Sequence, residues 1–128
     1  MEVHRAGHPM PTESNFEVFA WFFMRISGVV LLFMALGHLA VMHLIHHVEE
    51  VNYSFVAARF ATPFWRSYDL VMLFLALLHG VNGVRTILED YVHSRGWRAI
   101  TLSALYVIGF IFLIIGAIVI LTFQPVAT

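Results

Sequence analysis

Three apolar runs, at about 16–46, 64–93 and 99–123, decide what this chain can fold into. Each is longer than the ~20 residues needed to cross the hydrocarbon of a bilayer. A chain of 128 residues with 60% hydrophobic residues and a mean hydropathy of +0.83 carries more apolar surface than a water-soluble domain can cover. That surface must face lipid. The expected fold is therefore all-α and integral to the membrane, with three transmembrane helices running up, down and up. Residues 1–15 form an exposed N-terminal segment, and residues 16–128 form one three-helix membrane domain.

The middle run holds the densest chemistry. From Leu73 to Tyr91 the sequence is apolar around His79 and ionisable at its end, with Arg85, Glu89, Asp90 and Tyr91. At 100° per residue His79, Gly83, Thr86 and Asp90 share a narrow sector of one face. A histidine at membrane depth is costly without a partner and marks a functional site by default. Ala76, Gly80 and Gly83 leave a shallow slot around it. An axial nitrogen with room for a macrocycle is what a haem requires. The plainer alternative is a histidine that hydrogen-bonds a neighbouring helix while the glycines only permit close packing. Asp90 and Tyr91 lie roughly 16–18 Å further along, at the interface. There a tyrosine hydroxyl beside a carboxylate suits a quinone carbonyl and its protons, against the commoner reading of an aromatic-belt tyrosine with a solvated aspartate.

In the first run, Ser14 or Asn15 can cap the helix and Glu17 suits its positive end. Arg25 lies a little over two turns inside. It can snorkel to the headgroups, or pair through its forked donors with an anion held between helices, such as a haem propionate. His38, His43, His46 and His47 follow. The last three gather at the far end beside Glu49 and Glu50, whereas His38 lies deeper, on the opposite half of the membrane from Asp90 and Tyr91. With antiparallel helices, His38 and His79 differ in depth by roughly 15 Å, a workable spacing for two haems. His43 sits five helical turns from Arg25 on the same face and competes with His38 as a distal ligand. Either residue can equally be an interhelical hydrogen-bonding group. His4 and His8, four apart near Pro9 and Pro11, lack a third ligand.

Between the first two runs, residues 51–61 mix aromatic and polar character, as a short amphipathic piece along the interface does. Pro63, with Trp65, Arg66 and Tyr68, reads as a helix start at headgroup level. Asp69 suits the first turns of that helix, and Arg66, one turn earlier, can pair with it. The connection at 92–98 is short, which makes the second and third helices antiparallel neighbours. The third run has no charged residue. Gly109 and Gly116, seven apart, mark one packing face, and Gln124-Pro125 ends the helix.

A formal charge of −1 with no basic cluster excludes a nucleic-acid footprint. Without cysteine this chain offers no disulfide, thiolate metal site or iron–sulfur ligand. Any redox centre must use histidine or belong to a partner.

His79 followed by Asp90-Tyr91, the opening Phe22-Phe23-Met24-Arg25-Ile26-Ser27-Gly28 and the lead-in Asn15-Phe16-Glu17 resemble one family over the whole chain. It is the small membrane-anchor (D-type) subunit of succinate:quinone oxidoreductase, respiratory complex II. The runs from Phe55 to Trp65 and from Leu78 to Arg85 look most like the bacterial branch of actinobacteria and Thermus-like organisms. The resemblance implies haem b with His79 as an axial ligand, and His38 or His43 as the candidate for a second haem. It implies a quinone site, for ubiquinone or menaquinone, formed by Tyr91, Asp90, Arg25 and Ser27, with Arg25 also near a haem propionate.

The same resemblance implies succinate oxidation on a partner flavoprotein carrying FAD, with no catalytic residue for that step in this chain. An iron–sulfur subunit and a second hydrophobic anchor would complete the complex, which such families also assemble as a trimer of heterotetramers. Three helices enclose too little volume for a haem, so the second anchor should supply the opposite axial ligand. The implied location is the bacterial inner (cytoplasmic) membrane. Arg85, Arg95 and Arg98 near the second connection, with Arg5, favour a cytoplasmic N-terminus and an outside C-terminus. Three alternatives remain open: the anchor of a quinol:fumarate reductase, a haem-free structural anchor, and an unrelated three-span channel or transporter subunit. The last would need a polar face through the third helix, which has none.

Overall fold

A computed structural model describes residues 15–124 of the chain. Helix α1 spans Asn15–Ala40, α2 Tyr53–Ala61, α3 Pro63–Tyr91 and α4 Arg95–Thr122. A π-helical turn, Val41–Ile45, continues α1, and a 3₁₀ turn, Val48–Glu50, precedes α2. Three segments are long and apolar enough to cross a membrane: Asn15–Ile45, Pro63–Tyr91 and Arg95–Thr122. The protein is an all-helical integral membrane chain with α3 in the middle, packed against α1 on one side and α4 on the other.

The bundle is polar where a soluble one would be apolar. The buried residues among those described are Ala20, Ala57, Phe60 and Ile120, joined by Ser27, Arg59, Asp69 and Arg85. Meanwhile Phe19 and Leu44 are 71% and 80% exposed. In lipid, apolar side chains lose nothing by facing outward, and polar groups turn inward to find partners.

Two sets of contacts fix the helix registers. Gly28 of α1 lies against His79, Gly37 against Tyr68 and Gly83 of α3 against Met24, so α1 and α3 are antiparallel. Gly109 and Gly116 of α4 both face α3, where they meet Val81 and Leu73. The third helix is therefore keyed to the second through the glycine face legible in its sequence. A Cβ at position 109 would come within 2.7 Å of Val81 Cγ2, which is held by a stiff β-branched side chain. At 116 the nearest atom, also at 2.7 Å, is the mobile end of Leu73. Gly109→Ala is therefore expected to destabilise the assembled protein more than Gly116→Ala, by about 1–3 kcal/mol at the stiffer site, and so to lower its thermal midpoint further. Equal midpoints for the two variants would remove the distinction.

Arginines borrowed from neighbouring elements terminate the helices. Arg66 donates to Leu121 O at 3.2 Å and Phe123 O at 2.9 Å, satisfying carbonyls that α4 leaves open at its end. Arg98 does the same for α3, reaching Glu89 O and Val92 O. Arg66 is therefore not the partner of Asp69. That role falls to Arg59 of α2, which meets the carboxylate bidentately, Nε to Oδ2 at 3.1 Å and Nη2 to Oδ1 at 2.9 Å. Its guanidinium also stacks over Trp65, 4.1 Å from the ring centroid. Asn52 caps α2 by accepting from Phe55 N at 3.0 Å, which seats this short helix against the start of α3. Helix α4 begins at Arg95, four residues before the apolar run, because Gly96 and Trp97 continue the helix behind Ser94 at the N-cap position.

Candidate functional site

His79 projects from the middle of α3 toward α1. Its Nδ1 is 2.8 Å from the hydroxyl of Ser27, which is only 3% exposed and also donates to Phe23 O one turn earlier on α1. The ring fills the notch left by Gly28, where an added Cβ would sit 3.3 Å from His79 Cε1. Imidazole and serine thus join the two helices.

The second ring nitrogen behaves differently. Nε2 of His79 has no hydrogen-bond partner among the described residues. It is also not enclosed, because Arg66 Nε is the one buried side-chain nitrogen or oxygen there that lacks a partner. The imidazole is therefore held at one ring nitrogen and unbonded at the other among the described residues. Gly80, beside it on α3, has no atom within 4 Å of where a Cβ would stand, so the helix surface there is free to receive a flat group. A clamped ring, a free nitrogen and an open backbone fit the donor chemistry of an axial haem ligand.

Toward the start of α1 and the end of α3 an open groove of about 880 Å³ separates the two helices. Trp21 and Arg25 line it from α1, and Asn82, Gly83, Arg85 and Thr86 from α3. The Arg25 guanidinium lies 3.7 Å from the Trp21 ring centroid and has no carboxylate partner among the described residues. Arg85 is fully engaged. It donates to Glu17 of α1 at 3.3 Å, to Glu89 at 3.1 and 3.2 Å, and to Asn82 Oδ1 at 3.2 Å. This network fastens α1 to the end of α3 and leaves Arg25 as the groove's available cation.

Residues 8–122 match the family model described as succinate dehydrogenase/fumarate reductase transmembrane subunit. The chain belongs to that family. It is 30% identical over 94 residues to the succinate dehydrogenase hydrophobic membrane anchor subunit of Thermoplasma acidophilum, covering 71% of this chain and 76% of that one. It is 31% identical over 98 residues to the succinate dehydrogenase 2 membrane subunit SdhC of Mycobacterium tuberculosis, covering 77% and 70%.

The residues singled out in the sequence lie in separate parts of the chain. His79, Ser27 and Gly28 converge at the α1–α3 crossing, and Arg25 lies on the groove with Gly83 and Thr86. Ser27, which the resemblance sets beside quinone, has its hydroxyl taken by His79 and Phe23 O. Asp90 and Tyr91 stand apart at the end of α3, and Tyr91 is 79% exposed. His38 faces Asp69, with Nε2 3.9 Å from Oδ1, beyond hydrogen-bond range. Because Ser27 and His38 are eleven residues apart on α1, His38 and His79 are separated by roughly 16 Å along the bundle. His43 falls in the π-helical turn, where His46 N bonds Val41 O, so the α-helical wheel linking it to Arg25 does not hold. No group of three or more histidines and carboxylates suited to a metal ion occurs among the described residues. His4 and His8 lie outside them.

Sequence reasoning missed the Arg85 network and the Arg59–Asp69 pair. The Arg85–Glu89 spacing of four was a readable signal for half of the first. Glu17 and Arg59 carry none, since each meets its partner only through the tertiary register.

Proposed function

We propose that this chain is the D-type anchor of a succinate:quinone oxidoreductase, which ligates haem b through His79 and contributes Tyr91 to the site of quinone reduction. The observation that carries the proposal is the His79 imidazole, clamped at Nδ1 by Ser27 and free at Nε2. In the bilayer, a second hydrophobic anchor supplies the opposite ligand. Arg25, without a carboxylate partner among the described residues, is the cation for a propionate or for the border of the quinone pocket. Haem bound there supplies a one-electron relay within the membrane.

Succinate is oxidised on a flavoprotein carrying FAD, and electrons reach the membrane through an iron–sulfur subunit. Both relatives' names favour this direction over fumarate reduction. Exposure of Asp90 and Tyr91 suits a quinone pocket completed by those other chains. The Tyr91 hydroxyl donates to a quinone carbonyl, and Asp90 orients it or passes protons from the aqueous side. The excess of arginines at Arg85, Arg95 and Arg98 favours this end as the cytoplasmic one, with the N-terminus inside and the C-terminus outside the bacterial inner membrane.

Tyr91→Phe tests the quinone role, since it removes one hydroxyl from an exposed position and leaves the helix intact. Quinone reductase activity of the complex should fall roughly tenfold, while succinate oxidation with an artificial acceptor is unchanged. Equal loss of both activities, or of neither, would exclude Tyr91 from the quinone site.

A further inference from the structure

We infer, on the proposed ligation of haem iron by His79, that Ser27 is the positioning residue that holds this imidazole in the one tautomer able to bind metal through Nε2. A serine hydroxyl has a single proton to donate. Here that proton goes to Phe23 O, four residues back on the same helix. Toward His79 the hydroxyl can therefore only accept, which makes Nδ1 the protonated nitrogen at 2.8 Å. The lone pair is left on Nε2, the nitrogen with no partner among the described residues.

Burial makes the assignment strict. Ser27 is 3% exposed, so water cannot substitute for either bond. Gly28 admits the ring edge carrying Cε1 and sets its depth. No other histidine among those described has a hydrogen-bonded ring nitrogen: His38 stands 3.9 Å from Asp69 and His46 3.8 Å from Glu50. The chain thus prepares one of its membrane histidines as a ligand and leaves the others unprepared. An acceptor on Nδ1–H also raises the donor strength of Nε2, which favours ferric over ferrous iron.

The test uses the intact, membrane-assembled complex with Ser27→Ala, Ser27→Cys and Ser27→Thr. Haem midpoint potential is read by redox titration, and ligand-field geometry by low-temperature electron paramagnetic resonance. Alanine removes the acceptor, whereas cysteine nearly matches serine in size and is a poor acceptor, so it carries the test even where the alanine variant fails to assemble. Both are expected to shift the ferrous-to-ferric ratio at fixed ambient potential by several-fold toward ferrous; a tenfold change is about 59 mV. Both should also weaken haem retention by about tenfold or more. Threonine keeps the hydroxyl and should stay near wild type.

Wild-type potential and resonance positions in the alanine and cysteine variants would overturn the role of Ser27. Failure of the underlying ligation is separate: it appears as an undiminished b-type spectrum in His79→Ala, whatever Ser27 does.

Discussion

In complexes carrying His79→Ala, the b-type α-band of the reduced-minus-oxidised spectrum is expected to disappear and haem per complex to fall toward zero. The size of the effect follows from what surrounds the imidazole. Its neighbours on α1 and α3 are Ser27, Gly28 and Gly80, none of which ligates iron. The nearest alternative imidazole on α1, His38, is roughly 16 Å away along the helix and cannot swing into place. The substitution therefore leaves no substitute nitrogen at the site among the described residues. Truncation also vacates the Gly28 notch and removes the donor that Ser27 accepts from, so some loss of stability accompanies loss of haem. Assembly measured by co-purification of the partner subunits separates the two effects. An unchanged band in an assembled complex would reduce His79 to a packing residue joined to Ser27. His38→Ala in parallel reports on a second haem: a halved haem content assigns His38 as its ligand, and an unaltered one confines the chain to His79.

How far such a site can be read from sequence depends on which interactions are local. The three spans follow from length and hydropathy alone, and the α2 cap at Asn52 and the Pro63 start follow from local chemistry. His79 stands out because an imidazole in the middle of an apolar run has few innocent explanations. Its partner does not stand out: Ser27 is 52 residues away, and only the antiparallel register of α1 and α3 brings them together. Proximity in sequence misleads in the same way at Asp69. Arg66 is three residues distant and on the same helix, yet the open carbonyls at the end of α4 take it, leaving the carboxylate to Arg59. His43 shows a third limit, because an α-helical wheel assumes a constant period and the π-helical turn changes it. The glycine face of α4 needed no such information, since a spacing of seven survives any partner.

Breaking the Arg59–Asp69 pair is expected to be the most damaging single change outside the haem site. The two side chains are 5% and 11% exposed and share two hydrogen bonds, so each compensates the other's lost hydration. Asp69→Ala leaves a buried guanidinium with only the Trp65 ring beneath it, a loss of about 3–5 kcal/mol by analogy with other broken buried pairs. The cost falls on the segment between α1 and α3, because Arg59 is the charged tie between α2 and the bundle. Thermal unfolding of the assembled complex should shift down by several degrees, and proteolysis should open first near residues 46–62. Arg59→Lys should recover part of the loss at most, since an ammonium cannot reproduce the two-pronged contact or the stacking on Trp65. The double variant Arg59→Met with Asp69→Leu is the discriminating control. It removes both charges together and should return close to wild-type stability, as apolar replacements of buried ion pairs often do. If Asp69→Ala alone is as stable as wild type, the pair contributes nothing net. If instead the double variant is as unstable as the single one, the carboxylate serves something other than Arg59, and His38, 3.9 Å away, is the group it would then be holding.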